Sequence, residues 1–150
     1  MSGRVHHSAI CVADVDESLR FYRDGLGLDV LMDHEFDGDW PALFGTATTR
    51  LRSVFLGDPE KGNAGIVELV AFVGDPARRQ PPAPATAAGF FLLSFFTDVE
   101  ETLARLGGLG LGGPPRRIDV PGPARLVTMA TVRDPDGVLV ELIEAGASAG

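Results

Sequence analysis

Two stretches, VADVDESLRFY (Val12–Tyr22) and FTDVEETLARL (Phe96–Leu106), superpose without a gap and decide the fold. Each starts where an apolar run ends. Each then offers Asp as an N-cap, Asp14 or Asp98, with Glu17 or Glu101 three places on. That is the spacing of a capping box, in which side chains satisfy the orphan N–H groups of a first helical turn. Val15, Leu19, Phe21, Tyr22 and Leu26 follow the first cap at roughly helical spacing. Val99, Thr102, Leu103 and Leu106 follow the second.

Working outward, Val5–Val12 reads as a strand and Gly25 and Gly27 end the first helix. Strands are then expected over Leu28–Phe36, Arg50–Leu56 and Gly65–Val73. Asp37–Thr46 reads as a loop with some apolar content, and Asp58–Asn63 as a turn. After the second repeat, Gly107–Gly113 closes its helix. Strands are expected over Arg116–Val120, Leu126–Arg133 and Val138–Glu144, with Phe90–Phe96 ahead of them. Asp134-Pro135-Asp136-Gly137 is a tight turn. Two copies of β-α-β-β-β therefore fill nearly the whole chain, which is best explained by duplication. The expected fold class is α+β, with two βαβββ modules forming an open mixed-sheet cleft. Residues 1–150 make one domain: module 1 over about 4–74, a Pro/Ala-rich linker over about 75–89, and module 2 over about 90–145.

Composition narrows the function. At 150 residues, 45% hydrophobic and 23% charged, the chain can bury a core without a metal or disulfide staple. A formal charge of −8 argues against nucleic acid as a partner, because phosphates call for a basic face. No apolar run approaches the ~20 residues of a membrane helix, and nothing at the N-terminus reads as a signal peptide. The single cysteine, Cys11, is expected to be a buried structural thiol. A reducing, cytoplasmic setting is expected.

Alternation in the first strand puts His7, Ala9 and Cys11 on one face. Ile10 and Val12, the more apolar pair, go to the other, under the helix. His6 should then point away from His7, and His34 should be a solvated side chain. Glu68 in Ile66-Val67-Glu68-Leu69-Val70 and Glu141 in Val138–Ile143 are carboxylates set among apolar neighbours, at matching places in the two modules. Such a group is costly to bury unless paired, protonated or bound to a cation. Trp40, Phe44, Phe55, Phe91, Phe95 and Met129 are candidates to line a cleft. Arg50 and Arg52 suit either an anionic ligand or surface acids.

The segments HSAICVADVDESLRFYRDGLGL from His7, IVEL from Ile66 and DPDGVLVELIE from Asp134 resemble the vicinal oxygen chelate superfamily. That family includes glyoxalase I, methylmalonyl-CoA epimerase, bleomycin resistance proteins and extradiol dioxygenases. The resemblance implies a curled four-stranded sheet per module and one divalent ion (Mg, Mn, Fe(II), Ni or Zn). Its ligands would fall on His7, Glu68 and Glu141. The fourth ligand position, usually His, falls on Phe91, or on Phe90 with a one-residue bulge. Two functions follow. One is a metal-dependent lyase or isomerase that stabilises an enediolate, with Glu68 or Glu141 as base and Arg52 and the aromatic residues contacting substrate. The other is a metal-free protein that binds or sequesters a small molecule. By the same resemblance a homodimer and a small-molecule ligand are expected.

Overall fold

The computed structural model describes residues 2–146. Its elements come in the order β1 (His7–Cys11), α1 (Val15–Leu19), β2 (Asp29–Asp37), α2 (Trp40–Phe44), β3 (Arg50–Gly57), β4 (Ile66–Phe72), β5 (Leu93–Thr97), α3 (Val99–Gly108), β6 (Gly112–Pro121), β7 (Leu126–Arg133) and β8 (Leu139–Glu144). A π-helical turn, Arg20–Gly25, prolongs α1, and one 3-10 turn covers Pro59–Lys61. Two four-stranded sheets result, ordered β1-β4-β3-β2 and β5-β8-β7-β6. The chain divides into two compact units, Met1–Arg23 with Gly27–Arg79 and Asp24–Leu26 with Gln80–Gly150.

The duplicated caps are in place. Asp14 Oδ1 accepts from the N–H groups of Asp16 (3.0 Å) and Glu17 (3.2 Å). Asp98 Oδ1 accepts from Glu101 N–H (2.9 Å). The sequence repeat is therefore a repeat of helix-starting chemistry, with the same role in both units.

In the first unit β1 pairs in parallel with β4, and β2, β3 and β4 pair antiparallel. Side chains facing α1 make the core: Ile10, Val12, Val15, Leu19, Val54, Leu56 and Leu69 are all buried. In the second unit α3 buries Val99, Thr102 and Leu106, and the strands bury Ala130, Val132, Val140 and Leu142.

Three local expectations need correction. Asp37–Thr46 is not all loop. Asp39 caps a five-residue helix by accepting from Ala42 N–H (3.1 Å), Pro41 fits its first turn, and Gly45 ends it at φ 70. The first strand of the second unit begins at Leu93, so Phe90 and Phe91 precede it and are exposed. Cys11 is exposed rather than buried, because it shares the face of His7 and Ala9 that α1 does not cover. The segment 75–89 carries no helix or strand.

On the helix side of the first sheet Arg52 grips Asp33 with two bonds, 2.9 and 2.8 Å. The hydrogen bond from Arg52 holds the Asp33 carboxyl below the usual carboxylate range, against a smaller opposing effect of burial. A carboxyl depressed in this way adds stability once its unfolded counterpart is ionised. The gain is lost as pH falls through the folded value. Asp33→Asn is expected to lower stability at neutral pH by less than about 1 kcal/mol, since the pair is half-exposed. The difference from wild type should close in acid, below about pH 4, in denaturant melts run across pH. Asp14→Ala and Asp98→Ala should each cost about 1 kcal/mol in the same melts; no cost at either would mean that the caps do not hold their helices.

Candidate functional site

The face of the first sheet away from α1 lines a hollow of about 650 Å³. Its floor follows from register. Ala9 lies opposite Glu68, and Phe55 lies opposite Glu68 on the other side. Alternation then aims His7, Cys11, Ser53 and Val70 at the same face, and all of them line the hollow. Met32 and Phe36 of β2 and Trp40 and Phe44 of α2 form further wall.

The polar end is small and connected. Ser53 Oγ donates to Glu68 Oε2 at 2.5 Å. His7 Nε2 stands 3.4 Å from Glu68 Oε1. His6 Nδ1 and His7 Nδ1 are 2.9 Å apart, so one donates and the other accepts. A neutral His7 with its proton on Nε2, aimed at Glu68, would accept from His6. Only 15% of the Glu68 side chain is exposed, so these partners are what make its charge tolerable there. Of its two oxygens, Oε2 is occupied by the serine. Oε1 faces the histidine across a gap long for a hydrogen bond and is the one open to chemistry.

His6 does not point away from His7. It precedes the strand, so alternation does not govern it, and its ring lies beside those of His7 (5.1 Å) and Phe55 (6.0 Å). Ser53 was not singled out in the sequence. Ser53 pairs with Val70, two places from the Glu68–Phe55 pair, so it is the diagonal neighbour of Glu68 on the same face; that signal could have found it once the β3–β4 register is known.

Glu141 has a comparable setting in the second unit. It lies opposite Ser94, whose Oγ donates to its Oε1 at 2.9 Å. With Met129, Thr131, Arg116 and Arg117 it lines a smaller hollow of about 220 Å³. Phe91 lines a third hollow, with Phe90, part of the 75–89 segment and the β7–β8 turn.

The expected place of the fourth ligand also shifts. Ala9 to Asp14 is five residues, and Ser94 to Asp98 is four. The strand-to-helix connection is one residue shorter in the second unit. Counting from the glutamate's partner therefore places Leu92, not Phe91 or Phe90, in the position of His7. The same offset turns Phe95 to the helix side, opposite the buried Leu142, so Phe95 is no hollow-lining residue. Arg52 likewise stands on the helix side, bound to Asp33. His34 is exposed, its ring against that of Phe36 (4.7 Å).

His7 and Glu68 are spaced so that one ion could meet both. A resident zinc takes four ligands, and hard divalent cations take six or more. Among the described residues no three His, Cys, Asp or Glu side chains gather into a metal-holding group. Within the first unit the donors on this face are His7 and Glu68, and these two do not by themselves fit a resident divalent ion.

A double sheet of this order, with a histidine–glutamate pair on the open face of its first half, defines a glyoxalase-like protein. The chain belongs to the Glyoxalase/Bleomycin resistance protein/Dioxygenase superfamily, whose sequence profile matches residues 4–142. It is 41% identical over 145 residues to the lactoylglutathione lyase-like protein terB of Aspergillus terreus, covering 93% of this chain and 74% of that one. It is 30% identical over 157 residues to a 2-epi-5-epi-valiolone epimerase of an Actinomyces species, covering 97% and 81%. In fold it is similar to a glyoxalase family protein from Bacillus cereus (TM-score 0.73, 21% identity, 94% and 93% covered). It is also similar to the trypanothione-dependent glyoxalase I of Leishmania major (TM-score 0.62, 27% identity, 95% and 87% covered). Among the described residues no helix is long and apolar enough to cross a membrane.

Exposure of Cys11 has a direct consequence. The native protein should be alkylated at Cys11 by iodoacetamide to completion without denaturant, as read by intact mass. Labelling that needs denaturant would show the thiol buried.

Proposed function

We propose that this chain is a lyase or isomerase that moves a proton at a carbon next to oxygen in a small oxygenated molecule, as its glyoxalase-like and epimerase relatives' names suggest. One observation carries the proposal: a largely buried carboxylate, Glu68, set in an apolar hollow with a serine on one oxygen and an imidazole facing the other. A base shielded from water has fewer competing partners for its charge, and this favours proton abstraction from carbon.

In this assignment Glu68 Oε1 takes the proton. The Ser53 hydroxyl holds Oε2 and fixes the carboxylate plane. His7, on the edge of the same face, offers Nε2–H to the substrate oxygen on which charge develops, and His6 braces its far nitrogen. Returned by Glu68 to the neighbouring carbon, the proton completes an isomerisation; delivered from water to the opposite face of the same carbon, while Glu68 gives its proton to solvent, it completes an epimerisation. His7 and Glu68 are two donors where a resident ion takes four or more, and these steps use side chains alone. Glu141 is assigned no part in these steps. A homodimer is the proposed assembly, to be read by sedimentation.

A second possibility, sequestration without turnover, is favoured by the apolar wall. Solvent exchange separates the two. A panel of α-hydroxy ketones and aldehydes incubated in D₂O should show deuterium entering the carbon next to the carbonyl, followed by proton NMR. Glu68→Gln should reduce that rate by about 10²- to 10⁴-fold, and His7→Ala by a comparable or smaller factor. Exchange unaffected by Glu68→Gln sinks the proposal, and binding with no exchange at all favours sequestration. Exchange should also survive exhaustive chelation. Stoichiometric metal after repletion with Mg, Mn, Fe(II), Ni or Zn, lost in His7→Ala, would restore an ion to the site.

A further inference from the structure

We infer that the hollow of the first unit takes an uncharged molecule with a planar aromatic ring, laid against Trp40 and Phe44, with its oxygenated end at His7, Glu68 and Ser53. This deepens the proposed function by naming a substrate class, and it rests on that function only for what happens at Glu68.

The first ground is charge. No Arg or Lys is among the residues lining the hollow, and Glu68 is its one carboxylate. The two arginines of β3 are spent elsewhere. Arg52 is fixed on Asp33 and Arg50 on Glu35, both on strand positions that alternate away from Ser53 and Phe55. A ligand with free carboxylates, such as a glutathione conjugate, would meet the like charge of Glu68 here with no Arg or Lys in the lining to offset it. Removing such groups from water without a partner is strongly unfavourable.

The second ground is the wall at the far end. Trp40 and Phe44 are stacked, with centroids 5.9 Å apart at 16°. Phe44 also meets Phe72 edge-on at 6.4 Å. The indole N–H of Trp40, its only donor, is used on Phe36 O at 3.3 Å. What Trp40 has left to offer is its π surface. Helix α2 buries none of its residues, and Phe44 remains 56% exposed. An apolar wall with its polar handles already used prefers offset or edge-on aromatic partners. Phe55, tilted against His7 at 5.3 Å, carries the apolar lining up to the polar end. A volume of about 650 Å³ lies within the range of small-molecule sites.

Cys11, the only cysteine and a lining residue, gives a readout that needs no turnover. The probes are 2-acetylnaphthalene, its charged counterpart 2-naphthoate, and S-hexylglutathione. Each is titrated against the full chain by calorimetry and by its effect on alkylation of Cys11. The neutral ketone should bind and slow alkylation at least tenfold at saturation, with 2-naphthoate and S-hexylglutathione at least tenfold weaker. Phe44→Ala and Trp40→Ala should each weaken the ketone about three- to tenfold, and both variants should fold because α2 buries nothing. Glu68→Gln should retain ketone binding whether or not it abolishes proton exchange, so the two proposals fail separately. Tighter binding of either charged probe, or no protection by the ketone, overturns the inference. So does protection that rises with protein concentration alone, which would mean that a second copy covers the hollow.

Discussion

Parallel pairing of β1 with β4 is the constraint on which the first unit's site depends. The two strands are separated by more than fifty residues of chain, yet their register sets Ala9 beside Glu68. With residue 9 fixed, alternation leaves His7 and Cys11 no choice of face, and Ile10 and Val12 go to the helix. A slip of one residue would put the imidazole in the core and an isoleucine over the carboxylate. The buried apolar side chains under α1 prevent that slip. The same packing that stabilises the unit therefore aims its chemistry.

The second unit repeats this plan with one difference that matters. Glu141 and Ser94 are paired as Glu68 and Ala9 are, but the connection from strand to helix is a residue shorter. The sequence repeat aligns helices, and the sheet aligns strands, so the two alignments disagree by one place between β5 and α3. In a strand, one place is the whole difference between faces. Phe95 turns inward, and Leu92 rather than Phe91 occupies the position matching His7. Neither residue offers a metal donor, and the first unit alone supplies a nitrogen and a carboxylate.

The two hollows also differ in electrostatic character. That of the first unit is lined by aromatic and aliphatic side chains around one carboxylate. That of the second includes Arg116 and Arg117 beside Glu141. The two units thus share helix caps and strand order while their open faces differ. Caps and core answer to stability alone, whereas the open faces are free to follow a ligand.

Much of this was legible in the chain. The paired caps, the strand count, the turns and the two embedded glutamates follow from spacing and composition, because capping and alternation are local and depend on neighbours a few residues away. His7 and Glu68 could be named, and so could Trp40, Phe44 and Phe55 as wall. Tertiary structure alone decided what depends on pairing between distant strands. Ser53 meets Glu68 only through the β3–β4 register, and Arg52 is lost to Asp33 only because both face α1. Cys11 is exposed because it lies on the face of the first sheet opposite α1, and His6 joins His7 because it lies just outside the strand. Spacing along a chain determines which residues share an element; the register and cover of that element determine which of them meet, and these are set by burial of side chains far away in sequence.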